Sequence, residues 1–434
     1  MSPLALGLDL GSSGLRLALA EADGDGPAEL LIETSSPYPG SFNEPEAWRQ
    51  GLISLTQQLP VELRRRVSAI AIDGTSGTLL LCRHDGSLLP GTLGLALPYH
   101  LACPAQAQRA RLLCCQDASP AASASGSLVR ALELLHQAGQ AGAGSELLLR
   151  HQADWLMGWL LADWRWGEEG NNLRLGWDLA RNRWTGSIAS QPWAAALPTI
   201  RASGTVLGAL AAATAEALGL PSSCQVVAGS TDANAAFLAA DPQEGDGVAV
   251  LGTTLVLKQF AAAPIHAAGI SCHRLAGRWL VGGASNAGAG VLRRFYRDAQ
   301  IRELSRQIDP ERPTGLDLLP LPCTGERFPV DDPALEPRLE PRPVSDALYL
   351  QALLEGLTAI EARGWKRLRQ LGAPPLRRVI TLGGGAHNPQ WRQLRQRALG
   401  VPVLNRPGFS AALGMARLAL QAQARMGESA AASR

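Results

Sequence analysis

Lysine is nearly missing from this chain: of its 40 lysine and arginine residues, only Lys258 and Lys366 are lysine. The arginines are scattered and 38 acidic residues oppose them, leaving a net charge of +2. No basic stripe exists to attract a polyanion, which argues against a nucleic-acid partner. Also missing is any run approaching the roughly 18 uninterrupted apolar residues of a membrane helix. No charged leader precedes an apolar core either, so a soluble, cytoplasmic protein without a membrane partner is expected. The seven cysteines are odd in number and lack the paired C-x-x-C spacing of a zinc site. They suit a reducing compartment. What is present is length and apolar content: 434 residues, 46% hydrophobic, are enough for two sizeable cores. Small ligands are the expected partners.

The stretch "LALGLDLGSSGLRLALAE" alternates into and out of a tight turn, so it reads as strand, turn, strand. Its glycines do not open a helix and no lysine lies among them, which excludes a P-loop and a dinucleotide-binding turn. A turn made of Gly11, Ser12, Ser13 and Gly14 can still wrap an anion with backbone N–H groups and hydroxyls, with Asp9 at the strand exit. An ordinary hairpin is the alternative. "GDGVAVLGTTLVLKQF" repeats the pattern around Gly252, Thr253 and Thr254. Two such hairpins suggest two related halves whose turns face each other across a cleft.

Between them, "RVSAIAIDGTSGTLLLCRHDG" gives a strand over 69–72, a polar loop through Asp73, Gly74, Thr75, Ser76 and Gly77, and a second strand closed by a turn at His84, Asp85 and Gly86. The hydroxyl-rich loop faces a polyol or is simple turn chemistry. Residues 126–166 carry helical spacing, and Asp154 among them is either a buried hydrogen-bonding carboxylate or a ligand contact. In "SSCQVVAGSTDANAAFLAA" a short strand over 226–228 leads through Ser230 and Thr231 to Asp232, which begins an alanine-rich helix. A carboxylate there is held ionised by the helix dipole, or it merely caps the helix.

"GGASNAGAGVLRRFY" reads as a Gly/Ala turn running into a helix, 309–343 as a proline-rich surface loop, and the segment after Ser345 and Asp346 as a long amphipathic helix. Finally, "RRVITLGGGAHNPQWRQLRQRALGVPV" gives a strand over 379–382, three glycines, an Asn388 cap and Pro389 at the first helical position. Such glycines let a backbone approach a bulky ligand closely.

Taken in order, these segments resemble the FGGY family of carbohydrate kinases, within the actin-like ATPase superfamily, from Leu4 to about Ala419. "GLDLGSSG" resembles the first phosphate loop, "GSTDANAA" the catalytic-aspartate segment, "LGTT" the second phosphate loop and "GGGAHNPQW" the adenosine segment. "DGTSGTLLL" in a short chain looks most like the cyanobacterial and plant sugar kinases thought to act on D-ribulose, and somewhat like xylulokinases. The resemblance implies an α/β fold of two actin-like (ribonuclease H-like) domains, each a mixed β-sheet flanked by helices, around a central cleft. It divides the chain into 1–229, with the sugar site and first phosphate loop, and 230–434, with the second phosphate loop and the adenosine site.

The same resemblance implies an ATP- and Mg²⁺-dependent kinase of a ketopentose such as D-ribulose, acting as a monomer or homodimer. Asp232 would be the general base, and Asp9 would hold Mg²⁺ through water and bond the sugar. Gly11, Ser12, Ser13, Gly252, Thr253 and Thr254 would bind the phosphates, Gly384, Gly385 and Asn388 the adenosine, and Ser76 the sugar. The chain departs from many relatives where they carry W-x-D-x-R, reading "GTLGLALPYHLAC" there, and an acidic residue often found before the C-terminal "FSAALGMARLA" is absent. Other readings are a xylulokinase-like or polyol kinase, a catalytically degenerate sugar- or nucleotide-binding protein, and a chaperone-type ATPase.

Overall fold

The computed structural model describes residues 2–23, 28–114, 120–123, 126–144 and 146–432. The chain forms two compact units. The first contains the residues up to Asp241, with Arg274–Gly277 and the residues from Ser410 onward; the second contains Pro242–His273 and Arg278–Phe409.

The main sheet of the first unit has six strands: β1 (Leu4–Leu10), β2 (Leu15–Glu21), β3 (Glu29–Ser36), β4 (Val67–Gly74), β5 (Val206–Ala209) and β6 (Gln225–Thr231), in the order β5-β6-β4-β1-β2-β3. The expected first hairpin is present, with Leu10 opposite Leu15 across a four-residue turn. The period-2 pattern sends Leu4, Leu6, Leu8 and Leu10 into a core with Trp48 and Trp155. At Gly7 the other face takes the C-terminal helix Ala411–Ala432, so closely that a Cβ on Gly7 would lie 1.9 Å from the Ala412 carbonyl oxygen. The same helix meets Asp232–Ala239 through Gly414, where a Cβ would stand 1.9 Å from the Ala235 carbonyl oxygen. Two glycines thus seat one helix on both the strand that carries Asp9 and the helix that begins with Asp232.

The expected change of domain after residue 229 falls inside β6, which pairs in parallel with β4. In the contact-defined division Asp232 stays in the first unit with Asp9. Residues 126–166 are not one helical stretch: helices Ser127–Gln140 and Gln152–Leu161 flank a strand, Leu148–His151, that pairs antiparallel with Leu79–Cys82. That strand is buried at all four positions, and a short buried run carries no period to separate strand from helix. Asp154 is the buried hydrogen-bonding carboxylate of the two readings, accepting from the Glu168 N–H and Asn172 Nδ2, both at 2.9 Å.

The second unit has a six-stranded sheet of β7 (Asp246–Leu251), β8 (Leu255–Ala261), β9 (Ile270–Leu275), β10 (Arg278–Ser285), β11 (Arg378–Leu382) and β12 (Val403–Asn405), in the order β9-β10-β8-β7-β11-β12. Its core gathers Leu251, Leu255, Leu257 and the apolar face of helix Asp346–Gln370, whose Ser345 cap accepts from the Leu348 N–H. The second expected hairpin is β7-β8, closed by a three-residue turn between Leu251 and Leu255. Residues 309–343 hold no helix or strand beyond isolated bridges such as Leu319 with Arg338. After β10 the Gly/Ala segment leads only into a short 3₁₀ helix, Ala289–Arg294.

Candidate active site

In the first unit, β6, β4 and β1 are parallel neighbours, and their C-terminal ends bring polar residues into one row: Ser230 is in register with Asp73, and Asp73 with Asp9. Each strand is mostly apolar before its last residues, so the acids stand where the sheet stops and side chains reach the edge. Asp73 is fully buried, and neither of its oxygens meets an N–H or O–H donor. Its carboxyl contacts that of Asp9 within hydrogen-bonding reach. Two carboxylates cannot donate to each other, so this contact requires a proton on one of them.

Burial, reinforced by the charges of Asp9 and Asp232, pushes Asp73 well above the usual carboxylate range. Asp9 is also raised, to about 6, chiefly by burial and further by the Asp232 charge, against the lowering effect of its contact with Asp73. Asp232 is the first residue of helix Asp232–Ala239, partly exposed, with Oδ1 accepting from the Ala233 N–H at 2.7 Å. Three carboxyls therefore feel one another at one edge of one sheet.

The turn beside them is held from below, where the Tyr38 hydroxyl donates to the Gly11 carbonyl at 2.7 Å. Ser12 and Ser13 are exposed and Ser76 is half-buried in the loop that follows Asp73. Asp73, Ser230 and Tyr38 are absent from the residues singled out by sequence for the site. A signal for Asp73 was available, because β1 and β4 both end in an Asp shortly before a Gly.

The second unit contains a cavity of about 900 Å³ lined by Gly252, Thr253, Ala289, Ser305, Gly385 and Asn388, among others. Gly384 also borders it, whereas Thr254 does not. Asn388 caps helix Pro389–Leu399, its Oδ1 accepting from the Trp391 N–H at 3.0 Å, while its Nδ2 donates to Ser305 Oγ at 2.9 Å. Its side chain is thus committed to the wall, and the Ser305 hydroxyl is brought to the lining.

On another side, residues 286–290 pack on the β7-β8 turn: the Ala289 N–H donates to the Gly252 carbonyl at 2.9 Å and the Gly290 N–H to that of Thr253 at 3.2 Å. A Cβ on Gly288 would lie 2.5 Å from the Thr253 carbonyl oxygen, so the close approach needs glycine. Buried Glu326 anchors this segment, accepting from Ser285 Oγ at 2.5 Å and the Asn286 N–H at 2.7 Å. Arg302 and Arg306 add positive charge to the rim. Among the described residues, no three His, Cys, Asp or Glu side chains gather to hold a metal ion, and no helix is long and apolar enough to cross a membrane.

The fold and part of the sequence have counterparts in known proteins. Residues 247–423 match the C-terminal domain of the FGGY family of carbohydrate kinases. A xyloylose kinase from Brucella ovis is similar over 97% of this chain and 91% of its own, with a TM-score of 0.80 and 20% identity. Xylulose kinase from Rhodospirillum rubrum gives 98% and 90%, a TM-score of 0.78 and 20% identity. Glycerol kinase from Plasmodium falciparum, in a structure with ADP, gives 97% and 90%, a TM-score of 0.78 and 14% identity.

The chain therefore shares the fold of these sugar-kinase structures, and within it residues 247–423 match an FGGY carbohydrate-kinase C-terminal domain.

Proposed function

We propose that this chain transfers the terminal phosphoryl group of ATP to a hydroxyl of a ketopentose, with D-ribulose the acceptor favoured by the likeness of its "DGTSGTLLL" segment. D-Xylulose is the second acceptor, because two of the similar structures are named for that sugar. The observation that carries the reading is the row of acids at the ends of β1 and β4 beside Asp232 at a helix start.

Phosphoryl transfer passes through a loose transition state, so the protein mainly positions groups and neutralises charge. Asp232 accepts the proton of the attacking hydroxyl, and the helix start keeps it an acceptor. Asp9 and Ser76 bond the sugar. Gly11, Ser12 and Ser13 offer N–H and hydroxyl donors to the phosphates, as do Gly252, Thr253 and Thr254. Gly384, Gly385 and Asn388 border the adenosine, which the cavity of about 900 Å³ has room to accept.

Mg²⁺ is commonly held by one or two carboxylates plus substrate phosphates rather than by an all-protein cage. Asp9, partly exposed and in contact with the Asp73 carboxyl at the strand ends, would hold the ion in that mode through water. When bound, the ion offsets phosphate charge. In this reading 1–229 carries the sugar site and the first phosphate loop and 230–434 the second phosphate loop and the adenosine site, in a cytoplasmic monomer or homodimer.

A coupled assay of ADP release over pentuloses, pentitols, glycerol and heptuloses tests the proposal. Turnover with a ketopentose supports it. ATP binding with silence across the panel would favour the degenerate binding protein, and sugar-independent hydrolysis a chaperone-type ATPase.

A further inference from the structure

We propose that Tyr38 and Gln152 are positioning residues that tie the first β-turn to the hydroxyl-rich loop 74–78. The functional meaning of the two ends, phosphate and acceptor, rests on the reading above. The ties form one continuous chain within the first unit. Thr78 Oγ1 accepts from the Tyr99 N–H at 3.1 Å and contacts Thr75 Oγ1 at 2.6 Å. Thr75 Oγ1 in turn donates to Gln152 Oε1 at 2.8 Å. Gln152 Nε2 donates to the Tyr38 hydroxyl at 3.5 Å, the longest link, and Tyr38 donates to the Gly11 carbonyl at 2.7 Å.

Proton counting fixes the direction of every bond. The Gly11 carbonyl can only accept, so Tyr38 spends its proton there and must receive from Gln152. The Thr75 N–H also donates to Gln152 Oε1, at 3.1 Å, which fixes the orientation of that amide. Thr75 has then spent its hydroxyl proton on Gln152, so Thr78 donates to Thr75. All links point one way, from the Tyr99 N–H to the Gly11 carbonyl, and aligned bonds of this kind polarise one another.

Gln152 and Thr78 are fully buried and Thr75 is 3% exposed. Buried polar groups cost stability unless matched, and apolar side chains would fill the same space. A fully matched buried chain instead specifies one geometry. Here that geometry braces the turn beside Asp9 against the loop that follows Asp73, beyond the last paired residues Leu10 and Gly74.

The test uses the whole chain with Tyr38→Phe, which removes one hydroxyl and keeps the ring against Phe42. Amide hydrogen exchange is followed at Thr75 and Thr78, with the strand Leu79–Cys82 as internal reference. The bonds join Tyr38 to Thr75 through Gln152, so the strap predicts exchange roughly three- to tenfold faster at 75–78, with the reference unchanged. Gln152→Met, cutting the next link, gives the same pattern or a larger one. Equal rates at 75–78 in wild type and Tyr38→Phe would overturn the proposal, as would a uniform acceleration that includes the reference strand, the mark of a merely structural role. With ATP and D-ribulose, Tyr38→Phe should raise KM for both while kcat changes less than about twofold. If wild type turns over no acceptor, the kinase reading fails while the exchange arm still decides the strap.

Discussion

The two units build the same three-strand meander followed by two parallel strands: β1-β2-β3 with β4 and β6 in the first, and β7-β8-β10 with β11 and β12 in the second. They load equivalent positions with opposite chemistry. The residue two before the first turn is Asp9, paired with Asp73; two before the second it is Val250, paired with Leu382. The first turn spans four residues and stands beside carboxyls raised by burial and by the Asp232 charge. The second spans three and opens onto a cavity rimmed by arginine. The scaffold offers a strand end and a turn, and on the proposed reading the two or three residues placed there suit one edge to proton and cation chemistry and the other to holding a nucleotide.

Making the first hairpin resemble the second is the most severe way to break this comparison. Asp9→Val should lower phosphoryl transfer by at least ~10²-fold, while calorimetry with a non-hydrolysable ATP analogue still detects nucleotide. Retained turnover would show the acid to be dispensable. Next in size, Thr253→Ala should weaken ATP binding about tenfold, the worth of one hydroxyl bonded to a charged phosphate, and leave the acceptor KM unmoved. Loss of acceptor affinity instead would mean that the two turns are not specialised.

A pH series sharpens the contrast within the first unit. The carboxyl of Asp9 has an ordinary value of 3.8 and is raised to about 6 in the fold. Burial therefore favours its protonated form, and the stability it contributes is complete below the ordinary value and lost as pH rises through about 6. The thermal midpoint of Asp9→Asn should fall less than that of wild type between pH 4 and pH 7, and an equal fall would assign the titration to other groups. The smallest effect is expected at the rim of the second-unit cavity. Arg302→Ala should weaken nucleotide binding only about two- to threefold, and less at high salt.

Much of this was legible because it is local. Asp9 and Asp232 each announce themselves by ending an apolar strand or opening an alanine-rich helix, and both hairpins show their alternation and turn residues within 18 positions or fewer. The Asn388 cap and Pro389 were readable for the same reason. Asp73 was visible in its loop, but its partnership with Asp9 depends on strand register across more than 60 residues of chain, which no local pattern encodes. Ser305 closes a helix, Asp298–Ser305, of ordinary amphipathic sequence, and its place in the cavity wall beside Asn388 is a tertiary contact. The strand Leu148–His151 was hidden because burial on every side erases the alternation that marks a strand at a surface.

The central claim is that Asp232 takes the acceptor proton while the second unit merely holds the nucleotide. Its most direct test is transfer of label from γ-labelled ATP to D-ribulose and D-xylulose by wild type and Asp232→Asn, with analogue affinity measured on both. The account predicts a labelled ketose from wild type and a rate at least ~10²-fold lower in the variant, at equal nucleotide affinity. Label transferred by Asp232→Asn at the wild-type rate would contradict it.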